Sequence, residues 1–466
     1  MSLIGKLQKI IDEARHLHEV TKADDNADKS KFELILQSGS ENGNMLVRGD
    51  NLKFIKHMDR TGYTGKVKLI YIDPPFFSKA NYDAVIKIDS DMMGDMSNVK
   101  LYAYHDTWES GMEEYLQTLC VRLLAMRDLL SEDGCIWVHL DWHVVHYVKI
   151  IMDEIFGEKN FINEIIWNYK SGGTSKRHFS KKHDTLLFYS KSNKYYFKPQ
   201  AEKSYNREFK EYRFKGVQEY KDDIGWYTMV NMKDVWQIDM VGRTSAERTG
   251  YATQKPEVLI ERIVESCSKE GDVCVDFFGG SGTLASVCHK MGRKWISCDL
   301  SQLAFSKAAK RLIELKADFA AFEQTEADNQ KSSFEIKNRK NKMNCKINVD
   351  ISINPLDLSN KNLLKIKLIS YYIDVKKLAL DESAEKAVKK VVKSDSLSLI
   401  DYWSVDFNFD GKVHKPEMIL ISSKDKIYEC EQIGNAFGSI SVQVADVFGN
   451  NTFSVVSSEV KISEKD

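Results

Sequence analysis

The sequence predicts an α/β protein with a mostly parallel, Rossmann-like sheet, followed by a smaller, mainly β domain. Three observations carry that reading. Strand-like and helix-like runs alternate over 45–166 and again from Thr253 to about Lys316; a glycine turn follows one of the strand-like runs; and beyond 346 the pattern becomes strand–turn–strand.

Taken in order, residues 1–44 read as an N-terminal helical arm. Its start, MSLIGKLQKIIDEARHLHEV, has amphipathic spacing and lacks the charged–apolar–small order of a secretory signal, so a cytoplasmic protein is expected. Residues 45–165 form one half of the sheet domain. MLVRGDNL closes a short strand at Gly49-Asp50, and VKLIYID (67–73) is a buried strand stopped by Pro74-Pro75. Residues 112–130 have helical spacing, CIWVHL (135–140) is a strand, and HVVHYVKIIMDEIFG is a helix closed by Gly157. Residues 166–250 are aromatic, basic and short of helical periodicity, as expected of an insertion. Over 251–318 the pattern returns: a helix at 256–268, the strand DVCVDF, a glycine turn, a helix to Met291, the strand KWISCDL and a helix from Gln302. The polar stretch 319–345 reads as a linker. In 346–466, ILISSKDKIYEC and SISVQVADVFGNNTFSVVSSEVKI are strand–turn–strand patterns, with one helix near 383–393.

Composition narrows the function classes. A chain of 466 residues, 42% of them hydrophobic, can bury two or three cores. No run approaches the roughly 18 apolar residues of a membrane span, so no membrane partner is expected. The eight cysteines show neither a C-x-x-C pair nor histidines at zinc spacing; they read as small core residues, and no metal is expected. His139, His143 and His146 read as core or solvent-facing for the same reason. Net charge is −1, yet Lys170 to Asp222 holds 14 Lys and Arg against 6 Asp and Glu, an excess of +8 that suits an anionic partner.

Two turns carry chemistry. Asp276-Phe277-Phe278-Gly279-Gly280-Ser281-Gly282-Thr283 lies between a strand and a helix, where glycines admit a ligand to the backbone and the helix start offers free N–H groups. Asp299, 17 residues past Gly282, ends the next strand, where a carboxylate can accept from ribose hydroxyls. No Lys-Ser/Thr follows the glycines, so this is not a phosphate loop. Alone, the turn indicates a nucleoside cofactor without saying which, or a purely structural connection. Asp73-Pro74-Pro75-Phe76 is more specific. The prolines fix a carboxylate and a carbonyl at the carboxyl edge of the sheet. An aromatic amino group is a poor nucleophile because its lone pair is spread into the ring. Two acceptors favour its rehybridisation and stabilise the charge that grows as a methyl group arrives. Phe76 offers a face for stacking a base.

These residues resemble the β-class amino-group DNA methyltransferases, in which the catalytic motif precedes the cofactor motif. Asp73, Pro74, Pro75 and Phe76 match the DPPY/F catalytic motif. Asp276 to Thr283 resembles the cofactor motif, with Phe277 where proline is usual. Thr253-Gln254-Lys255-Pro256, after Thr249-Gly250-Tyr251, is similar to TGYPTQKP with Ala252 replacing the first proline, and Gly49-Asp50-Asn51-Leu52 resembles the GDNL strand end. Leu140-Asp141-Trp142-His143 and DEIFGEKNFINEIIW also look like family segments, with no chemical role attached. The resemblance covers about 45–318. It implies a methyltransferase sheet that binds S-adenosylmethionine through Asp50, Thr253, Gln254, Lys255, Asp276, Phe277, Phe278, Gly279, Gly280, Ser281, Gly282, Thr283 and Asp299. Asp before the two prolines implies adenine N6, since cytosine-N4 enzymes usually carry Ser or Thr there. A restriction-modification or solitary enzyme that flips its target base is implied, with 166–250 as its target-recognition region. Lys170, Lys176, Arg177, Lys181 and Lys182 are the expected DNA contacts. DNA is the expected partner; a homodimer and a separate restriction subunit are further candidates, as no nuclease or helicase motif set is visible. The C-terminal part resembles the β tail of some solitary and type III-like methylases. Of the rivals, cytosine-N4 methylation stays open. A nicotinamide-dependent oxidoreductase leaves the Asp73 turn idle, and a non-catalytic DNA-binding subunit would not need the full set of carboxylates.

Overall fold

The computed structural model describes residues 3–23, 30–78, 81–93, 98–106, 108, 111–213, 215–242, 244–325, 345–356, 361–378, 380–422, 426–435 and 437–456. Ten strands form one sheet: β1 (Lys31–Ser38), β2 (Met45–Arg48), β3 (Val67–Ile72), β4 (Leu130–Leu140), β5 (Phe161–Asn168), β6 (His183–Ser190), β7 (Val235–Gln237), β8 (Val273–Asp276), β9 (Lys294–Asp299) and β10 (Phe319–Thr325). Their spatial order is β1-β10-β2-β9-β8-β3-β4-β6-β5-β7. Eight strands run parallel; the edge strand β1 and the internal β6 run against them.

Helices cover both faces, which is why the central strands are mostly apolar rather than alternating. All six residues of β3 are buried. On one face α1 (Ile4–Ala23), α2 (Asn51–Met58), α3 (Met112–Leu129) and α4 (Val145–Phe156) share a core; Leu7, Ile11, Phe54, Leu123 and Val148 meet Ile70, Val138 and Val275 there. On the other, α5 (Glu257–Cys267), α6 (Thr283–Lys290) and α7 (Gln302–Glu314) pack Ile260, Val287 and Leu312 onto Leu69, Cys135 and Trp295.

The structure corrects the expected boundaries in three places. The arm 1–44 is not wholly helical: Lys31–Ser38 is strand β1, paired antiparallel with Phe319–Thr325, the start of the expected linker. Each segment supplies the other's hydrogen bonds, a long-range match that local polarity conceals. The rest of that linker, 326–344, lies outside the described residues. The segment 166–250 is not wholly an insertion, since β6 and β7 belong to the main sheet. Only Ala201–Tyr205, Glu219–Lys221 and Trp226–Asn231 build a small sheet of their own. A hairpin, Asn81–Lys87 with Asn98–His105, was not foreseen.

The C-terminal domain has two antiparallel sheets. One contains Lys346–Pro355, Asn362–Tyr372 and Glu429–Gly434; the other contains Met418–Ile421, Ile400–Asp406, Ile440–Asp446 and Asn451–Val456. Helix α8 (Glu382–Ser394) packs on the same core. The domain docks on α7, whose Leu303 and Ala304 enter its core. Buried Asp401 meets Lys307 Nζ at 3.3 Å and Lys310 Nζ at 2.5 Å. Among the described residues no helix is long and apolar enough to cross a membrane, and no group of three or more His, Cys, Asp or Glu could hold a metal ion. The cysteines are free thiols, all but half-exposed Cys345 buried.

Candidate active site

The two turns singled out in the sequence close adjacent strands: Asp73 follows β3 and Asp276 ends β8, which pair in parallel through Asp276 and Tyr71. Asp299 ends β9 on the far side of β8. Three carboxylates therefore gather along the carboxyl edge, where parallel sheets bind ligands.

Asp73 Oδ2 is ion-paired with Lys255 Nζ, and that ammonium also sits 5.4 Å from the centre of the Phe76 ring. Asp73 Oδ1 is buried and has no hydrogen-bond partner among the described residues. A buried acceptor is seldom left unpaired, and this oxygen is placed to accept a hydrogen bond from a bound group. The turn itself is clamped by Asp106, which is fully buried. Its Oδ2 accepts from the Phe76 N–H at 3.1 Å and the Ser78 N–H at 2.6 Å, and its Oδ1 from the Phe77 N–H at 2.9 Å. The Ser78 hydroxyl adds a bond at 2.7 Å. Phe77 takes φ of 57°, the left-handed region a side chain rarely adopts, and the clamp helps hold it there. Beneath the turn runs a buried polar chain: Tyr71 Oη meets His139 Nδ1 at 3.0 Å, His139 Nε2 meets Asp184 Oδ2 at 3.2 Å, and Tyr169 Oη donates to Asp184 Oδ1 at 3.0 Å. Phe76 lies over His139, ring centres 5.9 Å apart.

At the glycine turn, Asp276 Oδ1 accepts from the Phe278 N–H at 2.8 Å. Burial, with repulsion from Asp73 and Asp299, holds its carboxyl well above the usual range. Asp299 Oδ2 accepts from the Gly280 N–H and Oδ1 from the Ser301 N–H, both at 2.8 Å, and burial raises this carboxyl too. A cationic ligand would relieve both groups. Gly280 and Gly282 have φ of 50° and 72°. A Cβ on Gly282 would lie 2.9 Å from the Ala308 Cβ, so glycine here lets α6 approach α7.

Other expected cofactor residues have structural partners. Asp50 caps α2, accepting from the Lys53 N–H at 2.9 Å, and pairs with Arg122 at 3.2 Å. Gln254 Oε1 accepts from the Thr249 N–H and hydroxyl, both at 2.8 Å, stapling its own loop. Ser281 and Thr283 are buried, and Arg311 donates to the Ser281 carbonyl at 3.4 Å and the Thr283 hydroxyl at 3.2 Å. Phe277 is buried in the core, packed against Phe54, while Phe278 is half-buried. Thr253 is half-buried on the loop before α5, and Gly279 donates to the Cys298 carbonyl at 3.0 Å.

The basic residues Lys170, Lys176, Arg177, Lys181 and Lys182 lie on the loop between β5 and β6. Asn168 pairs with His183, Leu140 with Thr185 and Ile72 with Val138, so this loop leaves the same edge of the sheet as Asp73. Asp106, Arg122 and Asn51 were not legible beforehand. Asn51 Nδ2 donates to the Phe277 carbonyl at 2.9 Å and Arg122 Nε to Asn51 Oδ1 at 2.6 Å, which joins the GDNL strand end to the glycine turn. No local motif marks Asp106 or Arg122, and the GDNL segment contained Asn51 without pointing to its role.

A sheet of this order, with a glycine turn and an acidic proline turn on adjacent strands, is an α/β methyltransferase fold. The family model for DNA methylases of the N6/N4 type matches residues 67–310, and the chain belongs to that family. It is similar to the Type II methyltransferase M.EcaI of Enterobacter cloacae, 28% identical over 57% of this chain and 69% of that one. It is also similar to M.HinfI of Haemophilus influenzae, 27% identical over 59% and 69%. The EcoP15I Mod subunit of the Type III restriction-modification enzyme of Escherichia coli is 27% identical over 32% of this chain and 24% of its own. Among solved structures, the M1.HpyAVI–SAM complex aligns with 57% of this chain and 98% of its own at 17% identity and a TM-score of 0.37.

Proposed function

We propose that the chain methylates adenine N6 in duplex DNA at a specific sequence, with S-adenosylmethionine as donor and the target base turned out of the helix. The observation that carries this is the orphaned, buried Asp73 Oδ1 beside the glycine turn. The donor supplies a methyl group already activated on a sulfonium sulfur. Gly279 to Gly282 would hold it, with Asp276 and Asp299 at the neighbouring strand ends; those raised, closely spaced carboxyls suit a cation and ribose hydroxyls.

The residues of the chain do the rest. Lys255 fixes Asp73 through Oδ2, which leaves Oδ1 to accept one amino N–H; the Pro74 carbonyl is the second acceptor. Charge developing on the amino nitrogen meets fixed acceptors in a site shielded from water, so no reorganisation is needed as it grows. No base is required beforehand; the proton shed once the nitrogen carries the methyl group passes to Asp73 Oδ1, the acceptor already facing it. Phe76 supplies the aromatic side chain beside which the extruded purine would sit, with the Lys255 ammonium 5.4 Å from its ring centre. The carboxylate before the two prolines supports adenine over cytosine, by resemblance. The Mod-subunit likeness supports pairing with a separate restriction subunit.

The test is methyl transfer followed by nucleoside analysis. Purified protein, labelled donor and unmethylated plasmid should give N6-methyladenine. Asp73→Ala should lower the rate at least about 100-fold, the order of losing an oriented acceptor, with DNA binding kept. N4-methylcytosine would overturn the adenine assignment, and an active Asp73→Ala would overturn the mechanism.

A further inference from the structure

The loop between β5 and β6 carries a feature that methyl transfer leaves unexplained. Phe179 is 98% exposed, the most exposed large apolar side chain in the described molecule. Between Lys170 and His183 the chain has five Lys and Arg and no Asp or Glu. An apolar ring in open water forgoes the gain that burial would give, and the surrounding cations make docking on a neutral protein surface unfavourable. A partner that suits both features is anionic outside and apolar within.

The loop is also built to present the ring. Lys182 Nζ donates to the Ser171 and Gly172 carbonyls at 2.9 and 2.6 Å, closing its base. Lys181 Nζ lies 3.1 Å from the centre of the Trp142 ring, just past the end of β4. At the tip, Ser175 Oγ accepts from the Arg177 and His178 N–H groups at 3.4 and 3.3 Å, and the His178 ring meets the Phe179 carbonyl at 2.9 Å. The loop leaves the sheet edge that carries Asp73, and the Phe179 ring stands in solvent.

We propose that Phe179 is an intercalating wedge, entering the base stack of the DNA duplex as the target base leaves it, while Lys176 and Arg177 beside it grip the phosphates. This rests on the reading of the site as a DNA methyltransferase. Apolar side chains at a basic surface can part base steps, and the stacking lost when a base leaves is offset by an inserted ring. A wedge of this kind unwinds the helix, which can be read without knowing the recognition sequence.

The experiment relaxes closed circular plasmid with a topoisomerase in the presence of the full chain, and measures linking number, gel mobility and methyl incorporation on the same DNA. Wild type should shift the linking number. Phe179→Ala should still bind the plasmid but lose most of the shift, and methylate roughly tenfold more slowly; Phe179→Trp should keep both. Unwinding without any methyl incorporation by wild type would sink the enzymatic reading and leave the wedge standing. Wild-type binding with no shift, or a Phe179→Ala protein that unwinds like wild type, would overturn the wedge. So would retention on phosphatidylglycerol vesicles that depends on Phe179 while unwinding does not, which would assign the loop to an anionic membrane.

Discussion

In the proposed mechanism Asp73 works through its two oxygens being held differently. One is tied to Lys255 and the other, buried, has no partner among the described residues, an arrangement that stability alone would not select. The backbone that carries Asp73 is held in turn by Asp106, whose carboxylate takes three consecutive N–H groups and a hydroxyl. Asp106 is therefore a positioning residue. Asn at this position keeps one acceptor oxygen and turns an N–H₂ towards donors, so the turn should loosen without the site losing its charge pair. For Asp106→Asn, kcat is expected to fall about tenfold, in line with the loss of one or two bonds to a charged acceptor. Donor affinity measured by calorimetry should stay near wild type, because the glycine turn is untouched. Equal loss of donor binding and rate would mark Asp106 as a general fold determinant instead.

At the scale of elements, the glycine turn works because α6 and α7 cross closely. Gly282 combines φ of 72° with a Cβ position 2.9 Å from the Ala308 Cβ. Gly282→Ala should cost about 2 kcal/mol or more, from backbone strain and overpacking together. Adding Ala308→Gly should recover the packing part only. Thermal melts of the two variants separate the contributions, and full recovery would show that the backbone conformation was not strained. The same elements show what a sequence can disclose. Both turns were legible because their glycines and prolines sit between a buried strand and its successor, and because the residues that need each other are neighbours in the chain. Asp106 could not be read: it comes from a hairpin inserted after the turn, and its role exists only once three N–H groups from 76–78 point at it. Strands β1 and β10 were missed for a related reason. Each is a modest run beside polar sequence, and what makes them strands is pairing across almost the whole sheet domain. Lys255 was noticed as part of a cofactor segment, yet its ammonium pairs with Asp73; spacing can locate a motif without saying which way a long side chain turns.

The whole molecule adds a C-terminal domain docked on the methyltransferase sheet, and two buried titratable groups there oppose one another. His414 joins the domains: its carbonyl accepts from the Gln37 N–H of β1 at 3.2 Å, and its ring nitrogens meet the Ser404 and Ser441 hydroxyls, each at 2.7 Å. Burial pushes its imidazole down to about 4. Below its ordinary pKa the unfolded chain takes up a proton that the folded one refuses, so this group's stability is lost as pH falls from about 6.5 to about 4. Asp446 has the opposite sign. Burial pushes its carboxyl up to about 6, although the Tyr371 hydroxyl, the Asn450 side chain and the Phe448 and Asn450 N–H groups all donate to it. The folded state holds that proton longer than the unfolded one, so its contribution is full below about 4 and is lost as pH rises through about 6. Each displacement is worth on the order of 3 kcal/mol, and across the shared window the two offset each other. Asp446→Asn removes the compensating half. Asn cannot take up or release a proton there, so the variant keeps only the pH dependence of His414. Between pH 6.5 and 4.5 its melting temperature should fall more steeply, because His414 then acts unopposed. Parallel melting curves for wild type and Asp446→Asn over that range would mean that the two groups do not set the acid stability of the docked domain.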